Sequence, residues 1–147
     1  MKALCSLLLW LFAVPLWAGT GSARTDYVCS GDIRSENIFE SGSAAVTKKQ
    51  YRLIVNTDNN TVKRDPELAA GCLTRQIEIC RCELSADAVR CLSMGINHGG
   101  QEVQADFTLD RRSQQMHVTG RLSDPQTGRL IETQGILTCE VQPASPY

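Results

Sequence analysis

Seven cysteines, two histidines and 16 acidic residues are the side chains of this chain that could do chemistry. Cys80-Arg81-Cys82, together with Cys72 and Cys91, could hold a soft metal through thiolates, or exchange disulfides with Arg81 favouring the thiolate. No Cys-x-x-Cys pair occurs, both histidines lie elsewhere, and an exchange enzyme has no need of so many further cysteines. No metal and no cofactor are therefore expected. His98 lies in a turn sequence, Asn97-His98-Gly99-Gly100, and His117 falls on the polar side of an alternating segment. No Gly-x-Ser-x-Gly elbow presents a serine, and no Gly-Lys-Ser/Thr follows Gly99-Gly100. Glu36 with Glu40, or Asp106 with Asp110, could pair as acid and base, but their neighbours give no sign of burial. No catalytic residue is assigned.

The cysteines have a plainer explanation. Six of them follow an apolar leader, and Cys5 lies inside it. Lys2, an apolar run over residues 7–17 broken by Pro15, and small residues over 18–23 have the layout of a secretory signal peptide. Residues 1–23 are expected to be removed, with cleavage after Ala23 or after Ala18. The run is shorter than the ~20 apolar residues of a spanning helix, and no second one follows. The mature chain is expected to be periplasmic or secreted, soluble, and without stable membrane insertion. An even number of cysteines in a small exported domain reads as a disulfide framework.

Loss of the leader leaves 14 basic against 16 acidic residues, a net charge of −2. A nucleic-acid binder shows a basic stripe; none is visible, so no nucleic-acid partner is expected. Both tryptophans also leave, and Tyr27, Phe39, Tyr51, Phe107 and Tyr147 are the aromatics that stay. That is little material for the flat platforms of sugar or nucleotide sites.

The elements that must position these residues are strands. Tyr51, Leu53 and Val55 alternate with polar neighbours, as do Val103, Ala105, Phe107 and Leu109, and Met116, Val118 and Leu122. Period two is the signature of a half-buried strand. About eight strands are predicted, at 25–31, 47–56, 61–64, 74–83, 88–97, 101–110, 115–122 and 129–141. Polar turn clusters separate most of them, so sequential strands should pair antiparallel. The expected fold is mainly β: a single antiparallel up-and-down meander over residues 24–141, closed into a small barrel, with a sandwich as the alternative. Residues 142–147 are expected to form a flexible tail. A weak internal echo links residues 53–62 to 107–116: each has a strand ending in Asn or Asp, a polar loop and a returning strand. Segment 32–46 is predicted to be a long loop that tucks over the barrel end. Its Ile38 and Phe39 are candidate partner contacts, and Arg111 and Arg112 are a candidate contact for an acidic partner. Asn59-Asn60-Thr61 is a glycosylation sequon, relevant only to a eukaryotic secretory route; the short leader reads as bacterial.

Cys29 falls in the first predicted strand and Cys139 in the last, which become neighbours if the meander closes. A bridge across so long a loop is worth roughly 4–5 kcal/mol in the chain-entropy model. Cys82 and Cys91 face each other if their hairpin centres between Ala86 and Asp87. Cys72 and Cys80 remain as the third pair. Exchange to 72–82 and 80–91 is the nearest rival among 15 pairings. Leu92, Met94 and Ile96 are expected on the apolar face of their strand, leaving the cysteines outside it.

The Tyr27-Val28-Cys29 start and Cys139 in the closing strand resemble the small periplasmic inhibitors of C-type lysozyme. The likeness covers the chain ends, and the Ser-Gly-x-x-Tyr segment of those inhibitors does not occur. The sequence points to a non-catalytic binding or inhibitor-type module, with a protein or a small ligand as partner. The alternative is a carrier of small apolar ligands with a lipocalin-like cavity, for which Ala105, Gly120, Thr133 and Gly135 would leave inward room; a small enzyme is the third reading.

Overall fold

A computed structural model of the chain describes residues 24–40, 42, 44–65 and 77–143. Eight strands make up the described regular structure: β1 (Arg24–Asn37), β2 (Ala45–Asn56), β3 (Thr61–Asp65), β4 (Ile77–Leu84), β5 (Ala88–Ile96), β6 (Glu102–Asp110), β7 (Gln115–Asp124) and β8 (Arg129–Gln142). They form one antiparallel sheet in the order β3-β2-β1-β8-β7-β6-β5-β4, curled into a nearly closed barrel. The first and last strands pair along twelve residues each, from Asp26↔Gln142 to Asn37↔Ile131. The barrel is thus zipped where the chain ends meet, and its seam falls between β3 and β4.

Asn or Asp side chains start the turns. The Asn56 Oδ1 accepts from the backbone N–H of Asp58, at 3.0 Å. Asp110 accepts from Arg112 and Ser113, and Asp124 from Gln126 and Thr127. These Asx turns replace ladder hydrogen bonds at the strand ends. Each four-residue connection closes with a left-handed residue: Asn60 at φ 53°, Gln114 at φ 55° and Gly128 at φ 68°. The echo between residues 53–62 and 107–116 is therefore one turn geometry used twice.

The core is built in rows across the ladder. Val89, Leu109, Met116 and Leu137 lie directly opposite one another on β5, β6, β7 and β8, and all are fully buried. Burying side chains of this size stabilises by about 1.5–3 kcal/mol each. The row ends at Gly31 on β1, where an added Cβ would lie 2.7 Å from the Ile136 carbonyl oxygen. Tyr27, Tyr51, Leu53 and Val55 fill the adjoining layers.

Cys29 and Cys139 are direct partners on β1 and β8, joined with an S–S distance of 1.98 Å. Cys82 and Cys91 are direct partners on β4 and β5, joined at 2.03 Å, so the exchanged pairing does not form. The expected bridge from Cys72 to Cys80 lies outside the described residues and side chains.

Two expectations are corrected. Cysteines are part of the core: Cys29 and Cys139 are almost wholly buried, and Cys91 packs against the same cluster. On β5 the core face carries Val89, Cys91 and Ser93, while Met94 and Ile96 are exposed on the other side. Both faces of that strand are apolar enough to go inward; pairing of Val89 with Leu109 and Cys91 with Phe107 decides between them. The segment 32–46 is mostly strand. β1 runs to Asn37 and β2 starts at Ala45, because β1 has a ladder on both sides and its polar residues need no apolar face to stay extended. Ile38 and Phe39, which follow β1, are 47% and 69% exposed rather than tucked over the barrel end.

Candidate functional site

Antiparallel register brings polar side chains from four strands into two parallel rows on the outward face. Arg34, Gln134, Thr119 and Asp106 form one row, and Glu36, Glu132, Arg121 and Gln104 the next. These rows line a half-open cavity of about 350 Å³, with Ile38 at its rim. A second depression of about 440 Å³ adjoins it through Gln104 and Arg121, and carries Met94 and Ile96. A third, of about 390 Å³, shares Asp106 and extends over Arg90 and Leu92 to β4. The result is a groove with a polar floor and apolar side chains on its flanks.

The floor is partly self-paired. Arg34 bonds Glu36 at 3.0 Å, and Gln104 donates to Asp106 at 3.0 Å. Glu36 and Glu132 are directly opposed, with Arg34 and Arg121 beside them, so the charges alternate rather than accumulate. Such a surface suits a partner with mixed polar groups better than a highly charged polymer.

Of the residues singled out in the sequence, Glu36, Asp106 and Ile38 line the groove, and the others are scattered. Ile38 lies at the groove and Phe39 stands beyond it in the β1–β2 connection. Arg111 is half-buried at the opposite end, donating to the Tyr27 hydroxyl at 3.1 Å and to the Ser85 carbonyl at 3.2 Å. Arg112 forms an exposed ion pair with Asp87 at 2.8 Å. The fold spends Arg111 on holding β1 to the β4–β5 turn. His98 occupies the exposed β5–β6 turn, and His117 projects outward opposite Thr108 and Ile136. Asp110 is committed to its turn, whose backbone N–H groups hold its carboxyl below the usual carboxylate range. Among the described residues, no three His, Cys, Asp or Glu side chains converge as a metal site.

The small inward residues are packed together. An added Cβ on Gly135 would lie 2.8 Å from the Asp32 carbonyl oxygen and 2.9 Å from the Ile33 side chain. The Ser35 and Thr133 hydroxyls are hydrogen-bonded at 3.1 Å, and Ser93 donates to the Ala105 carbonyl.

Two charged clusters were missed in the sequence. Asp26 is fully buried between Arg24, at 2.8 Å, and Arg52, at 2.6 Å. The Arg24 hydrogen bond outweighs burial, and Arg52 adds to it, so the carboxyl is held below the usual carboxylate range. Arg64 lies over the Tyr51 ring, 5.1 Å from its centroid. Burial lowers the pKa of Arg64 and raises that of Tyr51. Period-two patterning does not say which strands meet or in what register, and these clusters depend on both.

No protein-family model matches the chain, and no curated protein or solved structure is detectably similar to it.

Proposed function

We propose that this protein is a non-catalytic extracytoplasmic binding module that recognises a protein partner through the outward groove of β1, β8, β7 and β6, with inhibition of a host or cell-wall-degrading enzyme as one concrete form of its work. The observation that carries this reading is the pair of polar rows flanked by Ile38, Met94 and Ile96. Apolar anchors beside a partly self-paired polar floor are what a protein interface uses for affinity and register. Inward packing at Gly135 and at Ser35 with Thr133 supports surface recognition over a ligand cavity.

The test is affinity capture on the oxidised mature protein, followed by measurement with each purified partner. Thr119 is exposed on the groove floor, so Thr119→Arg fills the groove without touching the core. A partner bound by the parent at micromolar Kd and at least tenfold more weakly by the variant supports the reading. A partner indifferent to the substitution, or a small apolar ligand recovered instead, contradicts it.

A further inference from the structure

The two polar rows of the groove are ordered, and reversing the order turns charge against opposite charge. Across β1, β8, β7 and β6 the first row reads Arg34, Gln134, Thr119, Asp106. Read from β6 back to β1, aspartate stands where arginine stood and threonine where glutamine stood. The second row reads Glu36, Glu132, Arg121, Gln104, and its reversal sets Gln104 against Glu36 and Arg121 against Glu132. A twofold axis running along the strands, between β7 and β8, lays the patch on a second copy in this way. Every carboxylate of the two rows then meets a guanidinium or a carboxamide. One step further out, Val46 on β2 and Leu92 on β5 extend the first row, and the same axis pairs them as apolar neighbours.

The flanks follow the same order. Ile38 is exposed at the β1 bank of the groove, and Met94 and Ile96 are exposed at the β5 bank. The axis carries Ile38 of one copy towards Met94 and Ile96 of the other. A third observation comes from inside the chain. Glu36 and Glu132 are directly opposed on β1 and β8, an arrangement of like charges that destabilises a sheet. Arg34 reaches Glu36, while Arg121 stands opposite Glu132 with no ion pair between them. A second copy brings a donor to each of the two glutamates. A surface that serves solubility alone needs both signs of charge, but has no use for this order.

We infer that the groove takes a second copy of this chain, forming a twofold dimer in which Arg34 pairs with Asp106 and Arg121 with Glu132 of the other copy. A contact of this kind uses one patch on both copies, so each pair forms twice. Complementary charges fix the register and reject misaligned pairings. The inference rests on the reading of this groove as a protein interface and names an occupant for it. While two copies are joined, an outside partner of the groove must compete with them.

The experiment is sedimentation velocity on the oxidised mature protein, from micromolar to millimolar concentration. The expected result is a reversible monomer–dimer equilibrium in the micromolar range that weakens with added salt. Arg34→Asp and Asp106→Arg, both on the outward face, should each weaken the dimer at least tenfold, because each sets like charges against one another twice. The two variants should bind each other at least tenfold more tightly than either binds itself, since the mixed pair again joins opposite charges at both contacts. That recovery also shows that both variants fold. A monomer at millimolar concentration, a dimer indifferent to both substitutions, or weakened variants that do not recover on mixing would each overturn the inference. The measurement uses the purified chain alone, so a monomer here sinks the dimer and leaves capture of an outside partner to be decided by its own test.

Discussion

Cys29 and Cys139 are 110 positions apart in sequence, yet their Cα atoms lie 3.9 Å apart as direct partners on β1 and β8. The bridge is buried in the row next to Leu137, so it ties the first strand to the last and fills the core together. Cys82 and Cys91 are only nine positions apart and fasten a single hairpin. The chain-entropy model separates the two. Replacing Cys29 and Cys139 together by Ala should cost about 4–5 kcal/mol, and replacing Cys82 and Cys91 about 2–3 kcal/mol. Guanidinium denaturation of the two double variants measures the order; equal losses would show that the long loop is not what the first bridge constrains.

Acid should loosen the start of β1 from β2, because Asp26 on β1 is paired with Arg52 on β2 as well as with Arg24. The folded carboxyl of Asp26 holds its proton less readily than the same group at its ordinary value of 3.8. Its stabilisation is therefore complete above about pH 4 and is lost as pH falls through the lower folded value. Asp26→Asn should cost about 1–2 kcal/mol at pH 7, a figure kept low because both guanidiniums reach solvent. The difference between parent and variant should shrink towards pH 2. Urea midpoints across pH 2–7 test this, and a constant difference would count against the ion pair.

Glycines divide by what surrounds them. Gly31 and Gly135 lie where β1 and β8 approach closely, and Ala at either would press on backbone atoms at 2.7–2.8 Å. Gly31→Ala and Gly135→Ala should each cost about 1–3 kcal/mol. At Gly120 the nearest atom is 3.5 Å away. Gly120→Ala should be close to neutral in a thermal melt, and a loss equal to that of Gly135→Ala would contradict the packing described.

Arg111 and Arg112 are neighbours with different work. Arg111→Ala would leave the buried Tyr27 hydroxyl without its donor and should cost about 1–2 kcal/mol. The Arg112 side chain makes an exposed pair with Asp87, and Arg112→Ala should change stability by less than about 0.5 kcal/mol. Chemical denaturation of both single variants decides; the reverse order would mean that the half-buried arginine is not a tie.

The strand pattern was legible wherever one face was apolar and the other polar, as at Tyr51, Leu53 and Val55, or Met116 and Val118. Turn chemistry at Asn56 and Asp110 marked strand ends, and the symmetric turn between Cys82 and Cys91 made them partners. β5 was read inside out because Leu92, Met94 and Ile96 rival Val89 and Cys91 in apolarity, and only the neighbouring strand settles the choice. Residues 32–37 and 45–46 were read as loop because the ladder on both sides of β1 supplies what their side chains do not. The groove was hidden for a related reason: Arg34, Gln134, Thr119 and Asp106 come from four strands, and only register aligns them.

Mass spectrometry of the freshly purified chain, alkylated in denaturant with and without prior reduction, tests the structure most directly. Cys29, Cys82, Cys91 and Cys139 should take up no label until reduction, and partial digestion should recover the 29–139 and 82–91 peptides as linked pairs. Label on all four before reduction, or linkage of Cys29 or Cys82 to any other cysteine, would contradict a barrel fastened by these two bridges.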